Sequence, residues 1–115
     1  MNSAYLLVML TFNAADQAGL SFLSTQTMEQ CQLKGHAFAG ILSSSGIEVR
    51  EKRCIESPLQ FTKYQHSSGK NQPLQRYQAT FTADHVEISF LPAGKSCTSE
   101  HPNTYCATSP QQPLQ

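Results

Sequence analysis

The fold of this chain is decided by its most apolar run, Tyr5-Leu-Leu-Val-Met-Leu-Thr-Phe12. No turn residue interrupts the run, and a continuous apolar stretch of this kind is typical of a strand buried on both faces. The apolar region of a signal peptide has a similar length, but no Lys or Arg precedes the run. We therefore predict a buried first strand.

The residues after this run predict a hairpin and then a helix. Residues 20–24 alternate, and their short connection to the first strand predicts an antiparallel pair. Thr27 stands three residues before Gln30, which is the spacing of a helix capping box. A helix over residues 27–42 would then carry one apolar face, because small or apolar residues recur every three or four positions. The residues of that face are Met28, Cys31, Gly35, Phe38 and Leu42.

A third strand is predicted over residues 47–55. Ile47 and Val49 share one face of such a strand, whereas Cys54 belongs to the other. If all three side chains point toward the helix, the strand must contain a bulge or a strong twist between them.

The second half of the chain predicts a meander of strands over residues 59–66, 74–82 and 85–90. The predicted fold is α+β: an antiparallel sheet of five or six strands with one helix packed on one face. It would form a single domain over residues 1–107, followed by a flexible polar tail over 108–115. We expect the following side chains to be buried: Phe12, Phe22, Met28, Phe38, Val49, Phe81, Val86 and Ile88.

The composition limits the classes of partner. Eight basic and eight acidic residues cancel, and only 14% of the residues are charged. The chain as a whole is therefore not attracted to nucleic acid or to an anionic membrane surface. No apolar run approaches the roughly 20 residues of a membrane-spanning helix. A lightly charged surface favours association, so a homo-oligomer is one expectation. The number of cysteines does not decide the compartment, which could be the cytoplasm or an oxidising one, periplasmic or secreted.

Cys31 and Cys54 are the most informative pair of residues. Cys31 lies on the apolar face of the predicted helix, and the strand after the helix must return Cys54 to the first helical turn. We expect their sulfurs to be neighbours and favour a structural disulfide, the alternative being two buried thiols. The C-x-x-C spacing of redox enzymes is absent from the sequence.

Cys97 and Cys106 flank a polar segment that contains Glu100 and His101. We favour a local disulfide between the two cysteines. A zinc site that uses these cysteines with His101 is the alternative, although the spacing matches no standard zinc module. A nucleophilic pair of Cys97 with His101 lacks any partner that would orient it.

The remaining histidines and the basic residues suggest only weak sites. His36 is predicted to pack partly buried beside the helix face, while His66 and His85 flank neighbouring strands and favour solvated positions. A set of basic and aromatic residues on neighbouring predicted strands could bind single-stranded nucleic acid on a sheet face. It comprises Arg50, Lys52, Arg53 and Lys63 with Phe61 and Tyr64. Three interleaved glutamates instead favour cross-strand ion pairs.

Residues 4–56 resemble a group of small uncharacterised bacterial proteins, many encoded near phage or mobile-element genes. The resemblance rests on Tyr5-Leu-Leu-Val, Phe22-Leu-Ser24, Cys31 with Gly35, and Cys54. It implies a ββαβ unit and no particular activity. The residues after Ser57 have no counterpart in that group.

Known catalytic signatures are absent from the sequence: it has no Gly-rich phosphate loop, no H-E-x-x-H and no G-x-S-x-G. We therefore predict a non-enzymatic accessory protein, without cofactor or metal, that binds a protein or a small molecule. Its site would lie at the exposed edge or uncovered face of the sheet. The alternative is a small metal-dependent or hydrolytic enzyme that uses His101 with Cys97 and Cys106.

Overall fold

The computed structural model describes residues 4–57, 59–61, 75–83, 85–92, 94–97, 102–109 and 111. Within them the chain forms one helix and six strands. In chain order the elements are β1 (Tyr5–Phe12), β2 (Ala18–Thr25), α1 (Met28–Ser44), β3 (Glu48–Glu56), β4 (Gln75–Phe81), β5 (Val86–Leu91) and β6 (Thr104–Ser109). The predicted α+β class is confirmed.

The strands form one sheet in the order β3-β1-β2-β6-β4-β5, which curls into a half-barrel. Neighbouring strands are antiparallel except β2 and β6, which are parallel, with Gly19 opposite Thr108. The sheet is therefore mixed, and the prediction of a purely antiparallel sheet is wrong. The difference arises because β6 was missed: among its six residues only Tyr105, Cys106 and Ala107 are apolar, too few for an alternating pattern.

β1 occupies the centre of the β3-β1-β2 half of the sheet and is buried on both faces, as predicted. Leu6, Val8 and Leu10 point into the concave side of the half-barrel. Leu7 and Met9 point to the opposite side, where α1 covers them. A strand with no solvated face needs cover on both sides, so β1 organises the two apolar clusters of the fold.

The concave cluster joins the two halves of the sheet. Phe22 of β2 stacks on Phe61 with 3.8 Å between ring centroids, and Tyr77 of β4 lies 5.2 Å from Phe22. Phe61 forms only an isolated bridge, so Leu59 and Gln60 do not begin the strand predicted over 59–66. Residues 62–66 lie outside the described residues. Besides the β1 residues, the cluster contains Leu20, Phe22, Ile55, Tyr77, Ala79, Phe81, Val86 and Ala107.

The chain after β5 contributes more to the fold than its sequence indicates. Thr108 and Ser109 belong to β6, and Gln111 is 1% exposed. The Gln111 amide pairs with the Phe22 backbone as a neighbouring strand would: Oε1 accepts from the Phe22 N–H at 2.9 Å and Nε2 donates to the Phe22 carbonyl at 2.8 Å. The predicted flexible tail is therefore wrong for these three residues, while 112–115 lie outside the described residues.

Tyr77 fixes the same segment from β4. Its hydroxyl donates to the Gln111 carbonyl oxygen at 2.7 Å. The ring is buried, and this burial raises the pKa of the Tyr77 hydroxyl to about 12. The hydroxyl therefore stays protonated and available as a donor over the neutral pH range.

α1 begins with the predicted cap. The Thr27 hydroxyl accepts from the Gln30 N–H at 3.0 Å, and the Gln30 side chain accepts from the Gln26 N–H at 3.2 Å. The helix continues two residues beyond the predicted end, and Gly46 follows it with φ of 82°, a conformation that glycine adopts without strain.

The apolar face of α1 is buried unevenly. Cys31, Gly35 and Leu42 are buried and Phe38 is half-buried. Met28 is 37% exposed, so its predicted burial is wrong: it lies at the first helical residue, beside the edge of the sheet rather than over β1. Phe22, Phe81 and Val86 are buried as predicted, whereas Phe12, Val49 and Ile88 are half-buried.

β3 contains the predicted bulge. Leu10 of β1 lies opposite Glu51, and the next residue, Thr11, lies opposite Val49, so Arg50 is the extra residue. The bulge shifts the alternation of side chains by one position. Val49 and Cys54 consequently pack in the same cluster under α1, although an unbroken strand would have placed them on opposite faces.

Two glycines of α1 should respond oppositely to alanine. A Cβ at Gly35 would stand 3.0 Å from Leu7 Cδ1 and 3.2 Å from Lys52 Cδ, whereas a Cβ at Gly40 would meet nothing within 4 Å. We expect Gly40→Ala to raise the free energy of unfolding by up to about 1 kcal/mol through helix propensity. At Gly35 overpacking, which costs roughly 1–3 kcal/mol, should outweigh that gain. Denaturant unfolding tests this, and equal stabilisation at both sites would contradict the tight packing at Gly35.

Candidate functional site

Cys31 and Cys54 are neighbours, as predicted. Their sulfurs lie at disulfide distance, with 6.0 Å between the Cα atoms. Cys31 is fully buried in the first turn of α1, and Cys54 is half-buried near the end of β3. The pair thus joins the start of the helix to an outer strand of the sheet.

Cys97 and Cys106 also lie at disulfide distance, with 6.0 Å between their Cα atoms. Sulfurs joined in a disulfide are neither thiolate ligands nor nucleophiles, which weakens both alternatives for this segment. Glu100 and His101 lie outside the described residues. In the part of the chain that the structure describes, no group of three or more His, Cys, Asp or Glu side chains could hold a metal ion.

The histidines form no site among the described residues. His36 is exposed on α1 rather than partly buried as predicted. His85 is exposed before β5, and its carbonyl oxygen accepts from the Thr82 N–H at 2.9 Å. His66 lies outside the described residues, so its solvated position stays a prediction.

The basic residues of β3 do not form a base-stacking face with Phe61. That ring is stacked on Phe22 inside the concave cluster, away from solvent-exposed cations. Lys63 and Tyr64 lie outside the described residues. Within the described residues, the ion pairs of β3 join residues of the same strand, so the predicted cross-strand pairs are not found there.

A cleft of about 440 Å³ lies along the outer side of β3. α1 forms one wall and the connection between β4 and β5, through Ala83, forms the other. Arg53 holds this second wall in place, because its Nε donates to the Thr82 carbonyl oxygen at 3.3 Å. The volume is within the range of small ligand sites. The residues that line the cleft are Met28, Cys31, Gln32, Gly35, Lys52, Arg53, Cys54 and Ala83.

The cleft opens onto an unpaired strand edge. β3 is an outer strand of the sheet and pairs only with β1 among the described strands. The Ser57 N–H donates to the Ala4 carbonyl oxygen, and in an antiparallel pair every second residue points the same way. Arg53 and Ile55 therefore also point their N–H and C=O groups to β1, and those of Lys52, Cys54 and Glu56 point outward. Of these outward groups, the Lys52 carbonyl oxygen accepts from Arg53 Nη1 at 3.4 Å.

Charge is distributed unevenly along β3. Arg50 Nε lies 2.9 Å from Glu48 Oε2, and Arg53 Nη1 lies 2.8 Å from Glu51 Oε1. The hydrogen bond from Arg50 is the main cause that lowers the pKa of the Glu48 carboxyl. Within the described residues, Lys52 is the cation of β3 that has no carboxylate partner.

Both arginines also stack on aromatic rings of the concave side. The Arg50 guanidinium lies 4.1 Å from the centroid of Phe12, and that of Arg53 lies 5.6 Å from Phe81. These cation–π contacts hold the two arginines in place. Lys52, on the other face of the strand, is the cation left to face an incoming ligand.

The sequence predicts a partner site at a sheet edge or on an uncovered face, but it does not identify β3 or this cleft. The signal lies in the prediction that Cys54 returns to the first turn of α1, because Lys52, two residues earlier, shares the face of Cys54. The position of Ala83 cannot be predicted from the sequence, because it depends on how far the sheet curls.

Comparison with family models, with curated proteins and with solved structures finds no match to this chain. The resemblance of residues 4–56 to small bacterial proteins therefore stays a prediction. No helix of the described residues is long and apolar enough to cross a membrane.

The Cys31–Cys54 link should be detectable and stabilising. In protein folded under oxidising conditions, we expect mass spectrometry without reductant to find a peptide that joins the two cysteines. Replacing both with Ala should lower the free energy of unfolding by about 3 kcal/mol, because the bridge spans 23 residues and restricts the unfolded chain.

The matched control replaces Cys97 and Cys106, which are only nine residues apart. Loop-closure entropy predicts a smaller loss for this pair, about 2.5 kcal/mol. If the variant without Cys31 and Cys54 has the same free energy of unfolding as the oxidised wild type, a structural bridge between α1 and β3 is contradicted.

Proposed function

We propose that this protein is a binding module whose cleft takes an extended segment of another protein. The segment would add to the sheet as a strand beside β3, with its backbone hydrogen-bonded to the outward-facing N–H groups of Lys52 and Cys54 and to the Cys54 carbonyl oxygen. The observation that carries the proposal is the open edge of β3 at the base of a cleft walled by α1 and by the β4–β5 connection. Strand addition of this kind takes its affinity from main-chain hydrogen bonds and its specificity from side-chain pockets.

The shape of the cleft favours one strand over a second copy of the chain. A second copy would bring its own α1 and β4–β5 connection toward those of the first, because the same walls flank its β3. A single extended segment carries no such walls. Six of the nine side chains of β3 are charged, and such an edge also disfavours unselective pairing.

The disulfide gives the cleft a fixed wall. Cys31 and Cys54 both line it, and their bond would hold the first turn of α1 at a constant distance from the strand edge. A wall that does not move on binding lowers the entropic cost of association. This supports a preformed binding site rather than one assembled by the ligand.

A variant pair at Lys52 tests the proposal. Lys52→Pro removes the outward N–H while leaving the β1 side of β3 intact, and proline is tolerated at such edge positions. Lys52→Ala removes the side chain but keeps the N–H. We expect peptides selected from a random-peptide library on the oxidised protein to bind Lys52→Pro about tenfold more weakly than Lys52→Ala, since a lost hydrogen bond costs about 1 kcal/mol or more.

Isothermal titration calorimetry measures the affinities, and thermal unfolding of both variants shows that each is folded. Failure to enrich any peptide, or equal binding by the two variants, would overturn the proposal. A wild-type dimer that Lys52→Pro dissociates in sedimentation analysis would also overturn it, because a second copy would then occupy the edge.

A further inference from the structure

The side chain of Lys52 packs against α1, which forms one wall of the cleft. It lies on the same face of β3 as Cys54, beneath α1, and its Cδ is 3.2 Å from the place where a Cβ of residue 35 would stand. The absence of a side chain at Gly35 makes room for the alkyl chain. Lys52 is nevertheless exposed, so a lysine whose stem is packed presents its ammonium group to solvent at the cleft.

The ammonium group is not neutralised by its neighbours on the strand. Glu48 and Glu51 are the acceptors of Arg50 and Arg53. No carboxylate of the described residues lies within 4.0 Å of Lys52, and the residues lining the cleft include two cations and no acid. The cleft is thus locally basic in a chain whose formal net charge is zero.

From this charge arrangement we infer that the bound segment carries Asp or Glu at the residue that pairs with Lys52. The inference rests on the proposed strand addition at β3. Side chains directly opposite each other on neighbouring strands have Cβ atoms about 4.5–5.5 Å apart, which is within reach of a Lys–carboxylate pair. An acidic residue there gains an ion pair, whereas a basic residue meets like charge.

The neighbouring position on the same face of the segment should be apolar. The residue two places along pairs with Cys54, and its side chain would meet the sulfurs of Cys31 and Cys54 and the exposed side chain of Met28. None of these groups is charged. The segment recognised by the cleft therefore alternates an acidic residue and an apolar residue on the face turned to α1, separated by one residue.

Parallel selections from one random-peptide library test the charge preference. The targets are the wild type, Lys52→Glu and Lys52→Met, of which the last keeps an unbranched apolar stem over Gly35 and removes the charge. We expect one position of the enriched peptides to be acidic for the wild type, basic for Lys52→Glu and without charge preference for Lys52→Met. Replacing the acidic residue by Asn should weaken binding to the wild type about two- to fivefold, an effect that added salt reduces.

Lys34→Met is the control, because Lys34 is an exposed lysine of α1 that does not line the cleft. Its selected peptides should match those of the wild type. If all targets enrich peptides of the same charge, and these lose affinity on Lys52→Pro, strand addition stands and the acidic preference is overturned. If no target enriches peptides that depend on the β3 edge, the proposed function fails together with the inference.

Discussion

Burial of β1 on both faces is the constraint on which the rest of the structure depends. Leu6, Val8 and Leu10 require cover on the concave side, and Leu7 and Met9 require cover on the other. Each fully buried side chain of this kind contributes roughly 1.5–3 kcal/mol through the hydrophobic effect, so neither face can be left in water. The sheet curls around one face and the helix lies over the other. β3 pairs with β1 along one edge and is thereby placed under α1. The other edge of β3 stays open.

The bulge at Arg50 converts this open edge into a site. It brings Val49 to the face of β3 on which Lys52 and Cys54 lie and which α1 covers, and Arg53 lies on the concave face, where it contacts Phe81 and the Thr82 carbonyl oxygen. One irregular residue therefore places apolar Val49 and the lysine of the cleft on the same face, with the arginine that holds the opposite wall on the other.

The sequence predicts the half of the fold in which local pattern and burial agree. The two-sided strand and the bulge follow from apolar spacing, the cap from the spacing of Thr27 and Gln30, and the proximity of the cysteines from the return of the strand beside the helix. β6 could not be predicted in this way, because its strand conformation is imposed by pairing with β4 and β2 rather than by its own residues. Gln111 is missed for a related reason: a buried polar side chain is recognisable only when its partners, here the backbone groups of Phe22, are known. In the cleft, the β3 base and the α1 wall follow from the predicted proximity of Cys31 and Cys54, whereas the Ala83 wall depends on the curl of the sheet, which the sequence does not predict.

Backbone hydrogen exchange in β3 tests the central claim, that this strand presents an open edge to a ligand. Nuclear magnetic resonance should find rapid exchange at the amides of Lys52, Cys54 and Glu56, and slow exchange at those of Arg53, Ile55 and Ser57, which point to β1. A peptide selected on the oxidised protein should slow exchange at Lys52 and Cys54. Uniformly slow exchange along β3 in the free protein, or protection by the peptide at β5 instead, would contradict the account.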